Sequence, residues 1–89
     1  MSLSKTQWVI YYPYKQDDSY IGAYAQDGSY KYGGEHYKVL TENLDNAKKY
    51  YSYAKAYYAA QRFMETFINC DTNYEILEVQ TINGITTLC

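Results

Sequence analysis

The sequence is poor in the side chains that carry most enzymatic chemistry. It has one histidine, His36, two cysteines, Cys70 and Cys89, and one proline, Pro13. One histidine and two distant cysteines fall short of the ligand spacing of a zinc site. Asp17-Asp18 and Asp27 lack a calcium-loop pattern around them, and Gly33-Gly34 lacks the remaining residues of a phosphate-binding loop. No cofactor or metal is therefore expected. Two cysteines make no disulfide framework; they read as reduced thiols, with an intramolecular bridge left open. No apolar run approaches the ~20 residues that a membrane-spanning helix needs. Met1-Ser2-Leu3-Ser4-Lys5-Thr6-Gln7 lacks the apolar stretch of a signal peptide. These absences predict a cytoplasmic protein. The formal net charge of −2 gives no long-range pull toward nucleic acid or anionic lipid, so neither is the expected partner.

What the chain does have is tyrosine, 14 of its 89 residues. The tyrosine ring fills space as an apolar group while its hydroxyl stays near water, which suits cores and binding surfaces alike. The length allows a single domain, residues 1–89, with a core small enough that association adds useful stability.

Trp8-Val9-Ile10-Tyr11-Tyr12 is a strand signal, closed or placed at a sheet edge by Pro13. Lys15-Gln16-Asp17-Asp18-Ser19 is a polar turn, and Tyr20 to Ala25 a second strand. Asp27-Gly28 has the chemistry of a two-residue hairpin turn, with Ser29-Tyr30-Lys31-Tyr32 returning. That register sets Ala25 opposite Tyr30 and Ala23 opposite Tyr32, and leaves Tyr20, Tyr24 and Lys31 on a solvated face. His36 to Leu40 either rejoins the sheet or runs as a loop.

Thr41 is a helix N-cap, with Glu42 and Asp45 in a first turn that runs toward Tyr50, and Ser52 caps a second helix from Tyr53 to Phe67 or Ile68. Leu44, Ala47 and Tyr51 form one apolar stripe; Tyr53, Ala56, Ala60, Phe63 and Phe67 form another, nearly opposite on one straight helix. A break near Tyr51-Ser52 lets both face one core, and a straight helix from Asn43 to Ile68 is the competing reading. Tyr74 to Ile82 is a long strand. Asn83-Gly84 then turns it back, pairing Ile82 with Ile85, Thr81 with Thr86 and Val79 with Leu88. The sum is an α+β domain, a small antiparallel sheet with one or two helices on one face. The expected core is Leu44, Ala47, Ala56, Ala60, Phe63, Phe67, Leu77, Val79 and Leu88, with Trp8 or Ile10. Apolar residues on both faces of the last hairpin, Ile76, Ile82 and Ile85 among them, point to a homodimer.

Leu40-Thr41-Glu42-Asn43-Leu44-Asp45-Asn46-Ala47-Lys48-Lys49-Tyr50 resembles a motif in small bacteriophage and prophage proteins of low-GC Gram-positive bacteria. In these a strand or hairpin leads to a capped short helix carrying Ala-Lys and an aromatic residue, then a break, an alanine-rich helix and a closing strand. Ser52 to Ala60 is similar to that second helix, and Tyr74 to Val79 to that strand. The resemblance implies a phage origin; the family has no established activity to transfer.

No residue set converges as a catalytic centre. His36 follows a flexible Gly33-Gly34 corner, and Glu35 beside it points to the other face of a strand. Cys70 follows a helix C-terminus, where the dipole and Asp71 oppose a thiolate. The residue pattern favours a non-enzymatic protein that binds another protein through Tyr20, Tyr24 and Lys31, with Tyr12 and Tyr37 as further contacts. Single-stranded nucleic-acid binding on the same rings is the alternative, and a small hydrolase built on His36 comes third.

Overall fold

The computed structural model describes residues 5–16 and 19–89; the side chains of residues 14–21 lie outside that description. The turn read at Lys15–Ser19 has its tip, Asp17-Asp18, outside the described residues. Five strands form one antiparallel sheet: β1 (Lys5–Gln16), β2 (Ser19–Tyr32), β3 (Glu35–Thr41), β4 (Glu75–Ile82) and β5 (Ile85–Leu88), in spatial order β3-β2-β1-β4-β5. One helix, α1 (Tyr53–Thr66), packs on one face. The fold class is thus the α+β arrangement that turn chemistry and strand alternation predict.

β1 is the centre of the sheet and is split between two partners. Lys5–Tyr11 pairs with Thr81–Glu75 of β4, and Tyr11–Gln16 pairs with Tyr24–Ser19 of β2. The strand runs straight through Pro13. Pro13 is tolerated because β4 ends at Glu75, opposite Tyr11, so no ladder partner awaits the missing N–H on that side. The Asn73 amide reaches the Pro13 carbonyl there at 3.4 Å. Val9 and Ile10 are both fully buried, one on each face. A strand covered on both sides reads as a continuous apolar run, and Trp8-Val9-Ile10 is one.

Below Tyr24, β2 leaves β1 and bends away with β3. The bend is a bulge in which Gln26, Asp27 and Gly28 stand opposite the single residue Val39. Gly28 supplies the positive φ of 101° that this requires. Asp27-Gly28 is therefore no hairpin turn, which corrects the expected register. Gly33-Gly34, with φ of 60° and 84°, makes the turn instead. Tyr30 faces Tyr37 and Tyr32 faces Glu35, not the alanines, and His36–Leu40 is part of a full strand.

The gap left between β1 and β2 is filled by the chain itself. Trp8 and Tyr50 exchange backbone hydrogen bonds at 2.9 and 2.8 Å, and the Lys48 N–H donates to the Ala25 carbonyl at 2.9 Å. These strand-like bonds claim backbone groups that a helix would need. The expected first helix is accordingly only a 3-10 turn over Leu44–Asn46, capped by the Asn43 side chain at 2.9 Å. Thr41 stays at the end of β3 and accepts from the Asn43 N–H at 3.1 Å. The Lys49 ammonium gathers the carbonyls of Leu44, Asp45 and Ala47 within 3.2 Å.

Passing through the gap puts the two apolar stripes on opposite faces. Leu44 and Ala47 lie on Val9, Val79, Leu77 and Tyr24. On the other face Ala56, Ala59 and Ala60 of α1 meet Ile10, Tyr12 and Ala25. Ser52 caps α1 by accepting from the Lys55 N–H at 3.1 Å. The alanines let helix and sheet approach closely, so the core is thin. Phe63, Phe67, Leu44 and Leu77 are partly buried against the two core clusters where the sequence placed them, and Leu88, expected among them, is 50% exposed.

At Asn83-Gly84 the observed turn has φ of 54° and 81°, and the register expected there, including Val79 opposite Leu88, is the one found. The opposite sheet edge is protected. Past α1, the Asn69 amide bonds both the N–H and the carbonyl of Lys38 at 2.9 Å, and the Ile68 N–H donates to the His36 carbonyl at 2.9 Å.

Candidate binding surface

The register separates residues that the sequence placed together. Lys38 and Leu40 of β3 face α1, so by alternation Tyr37 and Val39 face away from it. Tyr30, opposite Tyr37, shares that outer face, and Tyr32 follows two residues on. Tyr24, opposite Thr41, is on the same face nearer the core. Lys31, opposite His36, is on the reverse face. Tyr24 and Lys31 therefore do not form one patch.

Tyr30 and Tyr37 stack with ring centroids 5.3 Å apart and planes within 11°. Tyr30 is half exposed and Tyr32 is 75% exposed. The hairpin beyond the bulge thus offers two exposed rings, Tyr30 and Tyr32, with the partly buried Tyr37 stacked on the first. Tyr24 is half-buried, its ring 5.2 Å from that of Tyr11 at 51°. Burial, and then the neighbouring Tyr11 phenol, push its pKa up.

Tyr12 belongs to the core at 4% exposure. Its ring meets Tyr74 at 6.4 Å, and its hydroxyl is buried without a well-formed hydrogen bond. Burial, and secondly the adjacent Cys70 thiol, push its pKa far up. The thiol itself lies 3.9 Å from the Asn69 side-chain oxygen, and burial raises its pKa as well. Both groups are neutral at physiological pH. The Tyr20 side chain lies outside the described residues.

The reverse face of the hairpin carries Lys31 and Lys38. Lys38 lies 4.7 Å from the Phe63 ring centre and 5.6 Å from that of Phe67, and burial lowers its pKa. Lys48 meets Asp27 at 3.8 Å in an exposed pair, which contributes little. His36 is exposed beside Lys31. Among the described residues, no group of three His, Cys, Asp or Glu side chains stands ready to hold a metal ion, and no helix is long and apolar enough to cross a membrane.

Sequence reasoning missed Tyr30 and Tyr32 as surface residues because it turned the chain too early. The available signal was the Gly33-Gly34 dipeptide, a second candidate turn whose choice sets Tyr30 against Tyr37. Comparison with protein-family models, curated proteins and solved structures finds no match for this chain.

Proposed function

We propose that this is a non-enzymatic protein that binds another protein through the outer face of the β2–β3 hairpin. The observation that carries the reading is the Tyr30–Tyr37 stack with Tyr32 beside it, aromatic area left bare by the fold. Stacked rings lose little side-chain entropy on binding, and tyrosine is enriched among the residues that dominate interfaces. Tyr37 and Tyr24 form the inner end of the patch. Lys31 lies behind it, where its charge attracts an acidic partner without touching the same surface. The resemblance of Leu40–Tyr50 to bacteriophage proteins favours a phage-derived origin.

The test is affinity capture from a host lysate with wild type and with Tyr30→Ala/Tyr32→Ala, each with and without nuclease. The same protein should be captured by wild type under both treatments and lost with the variant. Capture that disappears with nuclease favours single-stranded nucleic acid. Equal capture by the variant places the contact elsewhere.

A second copy of the chain is a further partner in this reading. Ile82, Ile85 and Leu88 of the C-terminal hairpin are 47%, 66% and 50% exposed, and β5 is a sheet edge. Sedimentation across a concentration series should show dimer at tens of micromolar, and Ile85→Lys should restore the monomer; a wild-type monomer throughout removes the proposal.

A further inference from the structure

A groove of about 620 Å3 opens between α1 and the start of β4, away from the hairpin. Tyr53, Tyr57 and Met64 form its helix wall; Tyr74, Glu75 and Ile76 form its strand wall, with Leu77 beyond. Ile76 packs on the cluster under α1, whereas Leu77 packs on the opposite cluster. A groove walled by α1 and touching both residues reaches from the α1 face to the edge of β4.

That edge is free because β5 is short. β5 pairs with β4 only over Val79–Ile82, and the Cys89 N–H to the Glu78 carbonyl, at 3.1 Å, is the last bond of the line. Ladder alternation then fixes which way Ile76 faces. Trp8 directs both backbone groups to Tyr50, away from β4, so its register partner Glu78 directs its own away from β1. Ile76, two residues earlier, does the same. Its amide and carbonyl point out from this edge of the sheet, and among the described residues no backbone group pairs with them there.

We infer that the groove takes an extended peptide with a basic side chain, added as a short strand beside Glu75–Leu77 in line with β5. Main-chain bonds to Ile76 supply affinity, and the walls read alternate side chains. Met64 and Ile76 suit an apolar residue. Glu75 is the one ionised side chain of the lining, which contains no lysine or arginine; it alternates to the face away from α1, where the next residue of the peptide would carry the basic side chain. Gln61 donates to the Tyr74 hydroxyl at 2.7 Å, leaving that hydroxyl's own proton free for a peptide carbonyl. The inference is independent of the hairpin surface.

A displayed library of random linear peptides is selected on wild type and counter-selected on Tyr57→Ala/Glu75→Arg. Both positions are exposed, so the core is untouched; Glu75→Arg alone serves if the double variant does not fold. Selected peptides should alternate apolar residues with Lys or Arg. A synthetic copy should slow hydrogen exchange at the Ile76 amide at least about tenfold. Glu75→Gln should weaken it up to about fivefold, and a norleucine-for-lysine copy should lose that dependence. No peptide enriched over the variant overturns the site. So do peptides that protect the β2–β3 hairpin while Ile76 exchanges unchanged. Binding unaffected by Glu75→Gln overturns the basic side chain.

Discussion

The ring of Tyr11 occupies the space in which residue 22 would carry a side chain. A Cβ built on Gly22 falls inside that ring, so Gly22 is what lets Tyr11 lie flat across β2 and tilt against Tyr24. The glycine is needed for room, not for backbone freedom, since its φ is not in the left-handed region.

Gly22→Ala should therefore destabilise by about 1–3 kcal/mol, the usual cost of forcing a packed side chain aside. In a Tyr11→Ala background the same change should be neutral or mildly stabilising, because alanine restrains the unfolded chain more than glycine does. Urea midpoints of the four proteins in this cycle measure the coupling; additive effects would disconnect the two residues.

Tyr12, Tyr24 and Tyr50 all have raised pKa values, each chiefly through burial. Above the unfolded value of 10.0 the unfolded state releases protons that the folded state keeps. Stability is thus fully present below that pH and falls as pH rises above it. Tyr12 has the largest shift. Tyr12→Phe should flatten the decline between about pH 10 and 11 in urea titrations. At pH 8 it should leave stability unchanged or higher, because an unpaired buried hydroxyl costs about 1–3 kcal/mol.

Asn69→Ala should cost about 1–3 kcal/mol by removing two bonds to the Lys38 backbone. It also exposes the β3 edge. Hydrogen exchange at the Lys38 amide should accelerate by more than the global stability loss predicts, and the variant should aggregate sooner on heating. Exchange that follows global stability alone would show that Asn69 does not guard the edge.

Tyr32→Ala should change the urea midpoint little, within about 0.5 kcal/mol, because the side chain is 75% exposed. A large loss would mean that the ring supports the hairpin and is not held for a partner.

Local chemistry was legible in the sequence where one short segment decides the outcome. Asn83-Gly84 and Ser52 are of that kind: the turn needs positive φ at both positions, and the cap needs one hydroxyl. Asp27-Gly28 has the same turn chemistry, yet its glycine serves a bulge. Two turn-type dipeptides compete, Asp27-Gly28 inside β2 and Gly33-Gly34 just after it, and only the long-range pairing of Ala25 with Leu40 chooses between them. The misplaced Tyr30, Tyr32 and Lys31 all descend from that choice. The opposed phases of the Leu44 and Ala56 stripes were also visible. That they serve opposite faces of a sheet depends on Lys48 and Tyr50 finding Ala25 and Trp8, contacts that no periodicity encodes. Tyr12 carried no mark of its burial, since its ring suits core and surface equally.

The division of β1 between two partners has a kinetic consequence. Its second half meets β2, the next strand in the chain, whereas its first half waits for β4, which emerges last among its partners. Closing so long a loop is slow compared with closing a hairpin. During synthesis Trp8, Val9 and Ile10 are made early and sheltered late. The interval between the two is when this chain is most open to misassociation, and a chaperone acting on it would find its target in that run of three residues.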